Sequence, residues 1–179
     1  MDLHELKFQA NRCIAYHSMR VTFFEGLSKL IGLFAFVSSS ASIATLIAAN
    51  GTLFTISLIA TAFLTGFQIV VGTGDRAKDH AVYRNKFYNF LTKLEKIGEE
   101  EEIQIRKLSA RLQILYSETP PYFTALNYMA DNLACNVVGQ PGRQIQIPWR
   151  HRVLAHFYPF SGYYICGKDR HTIQEPELS

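Results

Sequence analysis

LIGLFAFVSSSASIATLIAA (residues 30–49), Asn50-Gly51-Thr52 and LFTISLIATAFLTGFQIVV (residues 53–71) follow one another without a single ionisable side chain. The charge-free stretch extends from Leu30 to Gly74 and lacks even a histidine, whereas every Asp, Glu, Lys and Arg lies at or before Lys29 or at or after Asp75. A helix on the surface of a soluble domain needs charged residues on its solvent face. About 20 apolar residues in helical form rise about 30 Å, the thickness of a bilayer's hydrocarbon core. The stretch is roughly two such lengths with a break at Asn50-Gly51, a dipeptide that readily adopts left-handed conformations and reverses a chain. These features predict two antiparallel spans, residues 30–49 and 53–71. The fold class expected is an all-α membrane protein, with a two-helix transmembrane hairpin and a cytoplasmic helical bundle.

Orientation follows from the flanks. Arg12, Arg20 and Lys29 precede the first span, Arg76, Lys78, Arg84 and Lys86 follow the second, and the turn between has no Lys or Arg. Positive charge stays on the cytoplasmic side, so both termini are expected there, in a plasma (inner) membrane. The apolar run starts far from Met1, and Asp2 and Glu5 are unlike a positively charged leader, so the first span is expected to be retained rather than cleaved.

Four regions result. Residues 1–29 read as a juxtamembrane helix with an apolar stripe at Leu3, Leu6, Ala10 and Cys13, ending in a Glu25–Lys29 pair four residues apart. Residues 30–71 are the hairpin. Residues 75–138 are a cytoplasmic helical region. There, Asp75 is placed to cap a helix carrying a stripe at Tyr83, Phe87, Phe90, Leu94 and Ile97. A second stripe at Ile105, Leu108, Leu112 and Leu115 follows Gly98 and the acidic run of residues 99–102. The two fit either one helix with a stutter or two helices with a turn. Thr119-Pro120-Pro121 reads as a helix start, with Thr119 as N-cap, followed by an apolar face at Phe123, Leu126, Ala130, Leu133 and Val137. Residues 139–179 are irregular, basic and aromatic: Trp149, Phe157, Tyr158, Phe160, Tyr163 and Tyr164 alternate with Arg143, Arg150, Arg152, Lys168 and Arg170. Such a composition suits a bilayer surface, with rings at headgroup level and cations on anionic lipid; aromatics interleaved with arginine also occur in single-stranded nucleic-acid grooves, and a docking surface for the helical part fits equally well.

Candidate functional residues lie on the spans. Ser57, Thr61 and Thr65 are spaced by four and Gln68 falls near the same line; Ser38, Ser42 and Thr45 form a comparable line on the first span. Two explanations stand. Small hydroxylated residues let helix backbones approach in lipid and bond across the interface. Alternatively, in an oligomer one such stripe faces a wet lumen, as polar pore linings do.

Enzyme signatures are missing from the sequence: no GxSxG, phosphate-cradling glycine loop or HExxH occurs. His4, His17, His80, His151, His156 and His171 are scattered, and Cys13, Cys135 and Cys166 have no ligand or disulfide spacing, so reduced thiols are expected. No catalytic residue, cofactor or metal ligand is assigned. A net charge of +3 is too small to argue for nucleic acid.

A leading helix, a two-span hairpin over residues 30–71, the stretch YRNKFYNFLTKL (residues 83–94), then Glu118-Thr119-Pro120-Pro121 with Leu126 and the Asn132/Asn136 region resembles the SLATT family over roughly the first 138 residues. These are two-span effector domains found beside nucleotide-signalling and sensor genes in bacterial conflict systems. The resemblance implies a homo-oligomeric, non-enzymatic effector for antiviral defence or stress response, pore-forming or membrane-depolarising, triggered by a separate sensor or nucleotide-signalling partner. Tyr83, Phe87, Phe90, Leu94, Glu118, Pro120 and Pro121 are the candidate assembly residues, since the stripes of residues 75–138 are expected to pack together within one subunit and between neighbours. The alternative is a membrane-anchored scaffold or receptor whose cytoplasmic helices bind a partner protein.

Overall fold

The computed structural model describes residues 1–40, 48–97 and 102–160, the side chains of Ser38, Ser39 and Pro141 excepted. Among the described residues the regular structure is helical, with no strand. The helices are α1 (Leu3–Ser39), α2 (Gly51–Val71), α3 (Thr73–Leu94), α4 (Glu102–Glu118), α5 (Thr124–Val137) and α6 (Trp149–Leu154), with a 3₁₀ turn at Pro141–Arg143 before α6. Among the described residues one stretch, Gly51–Leu94, is long and apolar enough to cross a membrane by length and composition, and none of its most apolar window is buried.

Local chemistry fixes the helix ends. The Asp2 carboxylate accepts from the Glu5 amide at 2.6 Å, which satisfies one of the donors that the first turn of α1 leaves unpaired. Asn50 is extended (φ −119°) and its side chain accepts from Leu53 N at 3.3 Å. It therefore works as the N-cap of α2 rather than as half of a left-handed turn, and Gly51 is already helical. Among the described residues positive φ occurs at Gly72 and Gly139 alone. Gly72 (φ 60°) closes α2, its amide bonded to the Gln68 carbonyl at 2.9 Å, and α3 begins at the next residue. Asp75 thus lies inside the first turn of α3 and is not its cap, although a carboxylate there suits the helix dipole. At Gly139 (φ 73°) the Gln140 amide bonds Cys135 O at 2.8 Å and the Gly139 amide bonds Asn136 O at 3.3 Å, the paired bonds of a Schellman end.

The expected start at Thr119 is displaced. Its hydroxyl donates to Tyr116 O at 2.9 Å and so serves the end of α4, while α5 begins at Thr124 with Phe123 as an N-cap lacking a side-chain bond of its own. The two prolines disfavour helical backbone in the residues before them, which delays the helix. The Tyr16 hydroxyl of α1 accepts from the Phe123 amide at 3.1 Å, which ties the start of α5 to α1.

The described chain divides into two compact units, residues 1–19 with 82–160 and residues 20–81. In the first, Leu3, Leu6, Ala10, Cys13 and Ile14 of α1 pack with Phe87, Phe90 and Leu94 of α3 and with Ile105, Leu112 and Leu115 of α4. Residues 1–19 are thus core material for this unit, a larger role than a juxtamembrane helix. The α3 and α4 stripes belong to two helices, since α3 stops at Leu94 and α4 starts at Glu102. On another side of α1, Tyr16 packs with Ala125, Leu126, Ala130 and Ala155, and Phe8 with Ala134 and Cys135. The buried face of α5 therefore differs from the expected one: Leu126 and Ala130 are inside, but Leu133 and Val137 are exposed and Ala134 takes the inner position.

In the second unit Val21, Phe24 and Ile31 of α1 and Thr73, Ala77 and His80 of α3 are buried. On α2 the half-buried positions are Ser57, Ala60, Thr61, Leu64, Phe67, Gln68 and Val71, recurring at threes and fours. That period is the seam of a helix packed lengthwise on a neighbour.

Candidate functional site

The outer face of the second unit is its most unusual feature. On α1, Leu30, Leu33, Phe34, Phe36 and Val37 are exposed; on α2, Leu53, Phe54, Ile56, Leu58, Ile59, Phe63, Ile69 and Val70 are exposed, up to 84% at Val70. No charged side chain interrupts them between Leu30 and Gly74. Single exposed apolar residues are ordinary in soluble proteins, but so many large apolar side chains exposed on two helices without a charge among them mark contact with lipid or another protein.

The hydroxyl line on α2 does not stay on one face. Ser57, Thr61 and Gln68 are half-buried and Thr65 is exposed. At 3.6 residues per turn each step of four advances about 40°, so Thr65 has rotated about 80° from Ser57, while Gln68, eleven residues on, has come back to within about 20°. The Thr61 hydroxyl donates to Ser57 O of its own helix at 2.8 Å, as Thr55 does to Gly51 O at 3.0 Å. Gln68 Nε2 reaches across to Ser28 Oγ of α1 at 3.4 Å. Ser42 and Thr45, and the side chain of Ser38, lie outside the described residues.

Just beyond the charge-free stretch, the second unit holds a polar cluster that sequence spacing did not single out. Arg20 and His80 are both buried, and Arg20 Nε donates to His80 Nε2 at 3.4 Å. The Arg20 guanidinium stands 4.5 Å from the centre of the Phe24 ring, and that ring stacks on His80 at 5.8 Å and 13°. Burial, then the neighbouring Arg20 and Arg76 charges, pull the His80 pKa down to about 4, so the imidazole is neutral and able to accept. Arg20 entered the sequence argument only as a flanking charge and His80 only as one of six scattered histidines. The two are 60 residues apart, and no local pattern links them.

The first unit holds residues 83–94, Glu118 to Pro121 and the Asn132/Asn136 region. Phe87, Phe90 and Leu94 are buried in the core and Tyr83 is half-buried. Glu118 and Lys86 form an ion pair at 2.7 Å between the end of α4 and the middle of α3. The bond from Lys86, and then its charge, holds the Glu118 carboxyl below its usual range. Pro120 and Pro121 are exposed in the connection between α4 and α5. Asn132 pairs twice with the backbone of Ile145, its Nδ2 donating to the carbonyl at 2.7 Å and its Oδ1 accepting from the amide at 2.6 Å. Asn136 Oδ1 accepts from Gln144 Nε2 at 2.6 Å. These two asparagines fasten the segment after Gly139 onto α5, beside a cleft of about 460 Å³ between Met19, Met129, Gln146 and Arg152.

Cys13 and Cys135 are buried and not joined in a disulfide, and burial raises the Cys13 pKa, so Cys13 remains a thiol. Among the described residues no group of three or more His, Cys, Asp and Glu side chains is arranged to hold a metal. No family model, no curated protein and no solved structure matches this chain.

Proposed function

We propose that the chain is a two-span membrane protein with both termini in the cytoplasm of a bacterial cell, and that it works as a homo-oligomeric effector. Its hairpin is embedded in the plasma membrane, and its first unit assembles with other copies and receives the signal of a separate partner. On that signal the assembly permeabilises or depolarises the membrane. One observation carries the membrane part: the exposed, charge-free apolar surface of α2 and of the end of α1. A bilayer is the environment in which such a surface costs nothing to expose. The effector part rests on the sequence resemblance to the SLATT family, and the Lys86–Glu118 ion pair joins two of the stretches that carry it within the first unit.

The decisive experiment reconstitutes the full chain in liposomes and records ion leakage, beside growth of cells overproducing it. Leakage and growth arrest are expected from the parent. In the Thr61→Leu/Thr65→Leu variant leakage should be lost while insertion and oligomer size persist, because Thr61 bonds within its own helix and Thr65 is exposed. A variant that assembles and leaks as before removes these residues from any permeation path.

A second reading has its own support. The exposed positions of α2 are mostly large and apolar, and the Thr55 and Thr61 hydroxyls bond within their own helix, as in an anchor that meets only lipid. In that case the hairpin tethers a protein-binding helical unit, and the parent neither leaks ions nor arrests growth.

A further inference from the structure

The segment from Trp149 to Tyr158 is held from within and displayed outward. Ala155 is fully buried with Tyr16 and Leu126, and the His151 ring stacks on Phe160 at 4.0 Å and 13°. Those inward contacts leave Trp149 (69% exposed), Val153, Leu154, Phe157 (59%) and Tyr158 (60%) on the surface, although each is apolar or aromatic. Arg150 and Arg152 are exposed among them, and the Arg150 guanidinium stands 5.9 Å from the Trp149 ring centre. From residue 132 to residue 168 the sequence contains no Asp or Glu, while Arg143, Arg150 and Arg152 fall within it.

We infer that this aromatic and basic face docks on the anionic headgroup layer of a lipid bilayer. Trp and Tyr are the side chains that settle at the water–hydrocarbon boundary, their rings apolar and their edges able to hydrogen-bond. Arginines beside them complement lipid phosphate, and the run without carboxylates removes the repulsion that would oppose it. Charge also argues against a symmetric contact with a second copy, in which Arg150 and Arg152 would face their own counterparts without a carboxylate from the same segment. The inference rests on the membrane reading above for the supply of the surface, but its chemistry belongs to α6 and the turn that follows.

Trp149 is the only tryptophan in the chain, so its fluorescence reads this face alone. The full-length protein is reconstituted in phosphatidylcholine vesicles with and without phosphatidylglycerol. With the anionic lipid, Trp149 emission should shift to the blue, lose intensity to brominated acyl chains and become shielded from acrylamide. High salt should reverse the shift, and so should the Arg150→Glu/Arg152→Glu variant, whose helical circular dichroism stays unchanged. Emission that is equally red and equally quenched by acrylamide in both vesicles would overturn the inference. So would a blue shift that grows with protein density but resists bromolipid, which would assign the face to a second copy. Alkaline carbonate extraction of the same vesicles reads the anchor separately. A chain that resists extraction while Trp149 stays in water defeats only this inference. A chain that is washed off, yet is quenched by bromolipid before washing, defeats only the two-span anchor.

Discussion

His80 accepts a hydrogen bond from a guanidinium, and only a neutral imidazole can do so. Protonation would place a second cation beside Arg20 and near Arg76 in a buried site. The sign of the pH dependence follows. The folded pKa, about 4, lies below the ordinary 6.5, so between those values the unfolded chain binds more protons than the folded one. The contribution to stability is whole above about pH 6.5 and is progressively lost on acidification toward pH 4. Thermal melts of the detergent-solubilised chain from pH 7.5 to 4.5 should show a falling midpoint. In the His80→Gln variant, which keeps an acceptor but cannot titrate, part of that slope should disappear. An unchanged slope would mean that the carboxylates set the whole acid response. Glu118 adds to that response in the same direction. Its pKa is depressed by Lys86, so the benefit of the pair is present above the ordinary carboxylate range and is lost below it.

At the scale of elements, period decides what a sequence discloses. The stripe Phe87, Phe90, Leu94 could be read because large apolar residues recur at threes and fours, and all three are buried. Leu94→Ala should lower stability by about 2–5 kcal/mol, the range for a fully buried leucine truncated in a packed core. Tyr88→Ala, exposed on the same helix, should stay within about 0.5 kcal/mol. Equal losses in chemical denaturation of the two variants would show that α3 is not packed by this face. The inner face of α5 escaped the same reading for a physical reason. Its buried positions are Ala125, Leu126, Ala130, Ala134 and Cys135, mostly small side chains that bury little area and so barely register against the larger Leu133 and Val137 outside. Thr119 was misread because a hydroxyl before Pro-Pro suits a helix start equally well as it suits the carbonyls of the helix before it. Nothing in either segment alone marks Arg20 and His80 as partners, since their meeting depends on the return of the chain after Asn50.

At the scale of the whole molecule, labelling chemistry between the spans reads the number of crossings. With two crossings and cytoplasmic termini, Thr52 lies on the far side of the bilayer and Lys93 in the cytoplasm. Thr52 is a better reporter than Asn50, whose side chain caps α2 and whose loss would cost about 1 kcal/mol. In a background with Cys13, Cys135 and Cys166 replaced, a membrane-impermeant maleimide added to intact cells should label Thr52→Cys, and should label Lys93→Cys only after lysis. The exposed position of each residue removes burial as an explanation for failure. Labelling at Lys93 in intact cells would put the first unit outside and reverse the orientation drawn from the flanking arginines and lysines. Failure at Thr52 until lysis would keep the connection on the cytoplasmic side. The apolar faces of α1 and α2 would then lie along one leaflet or against other copies, and a conducting path across the membrane could not be built from them.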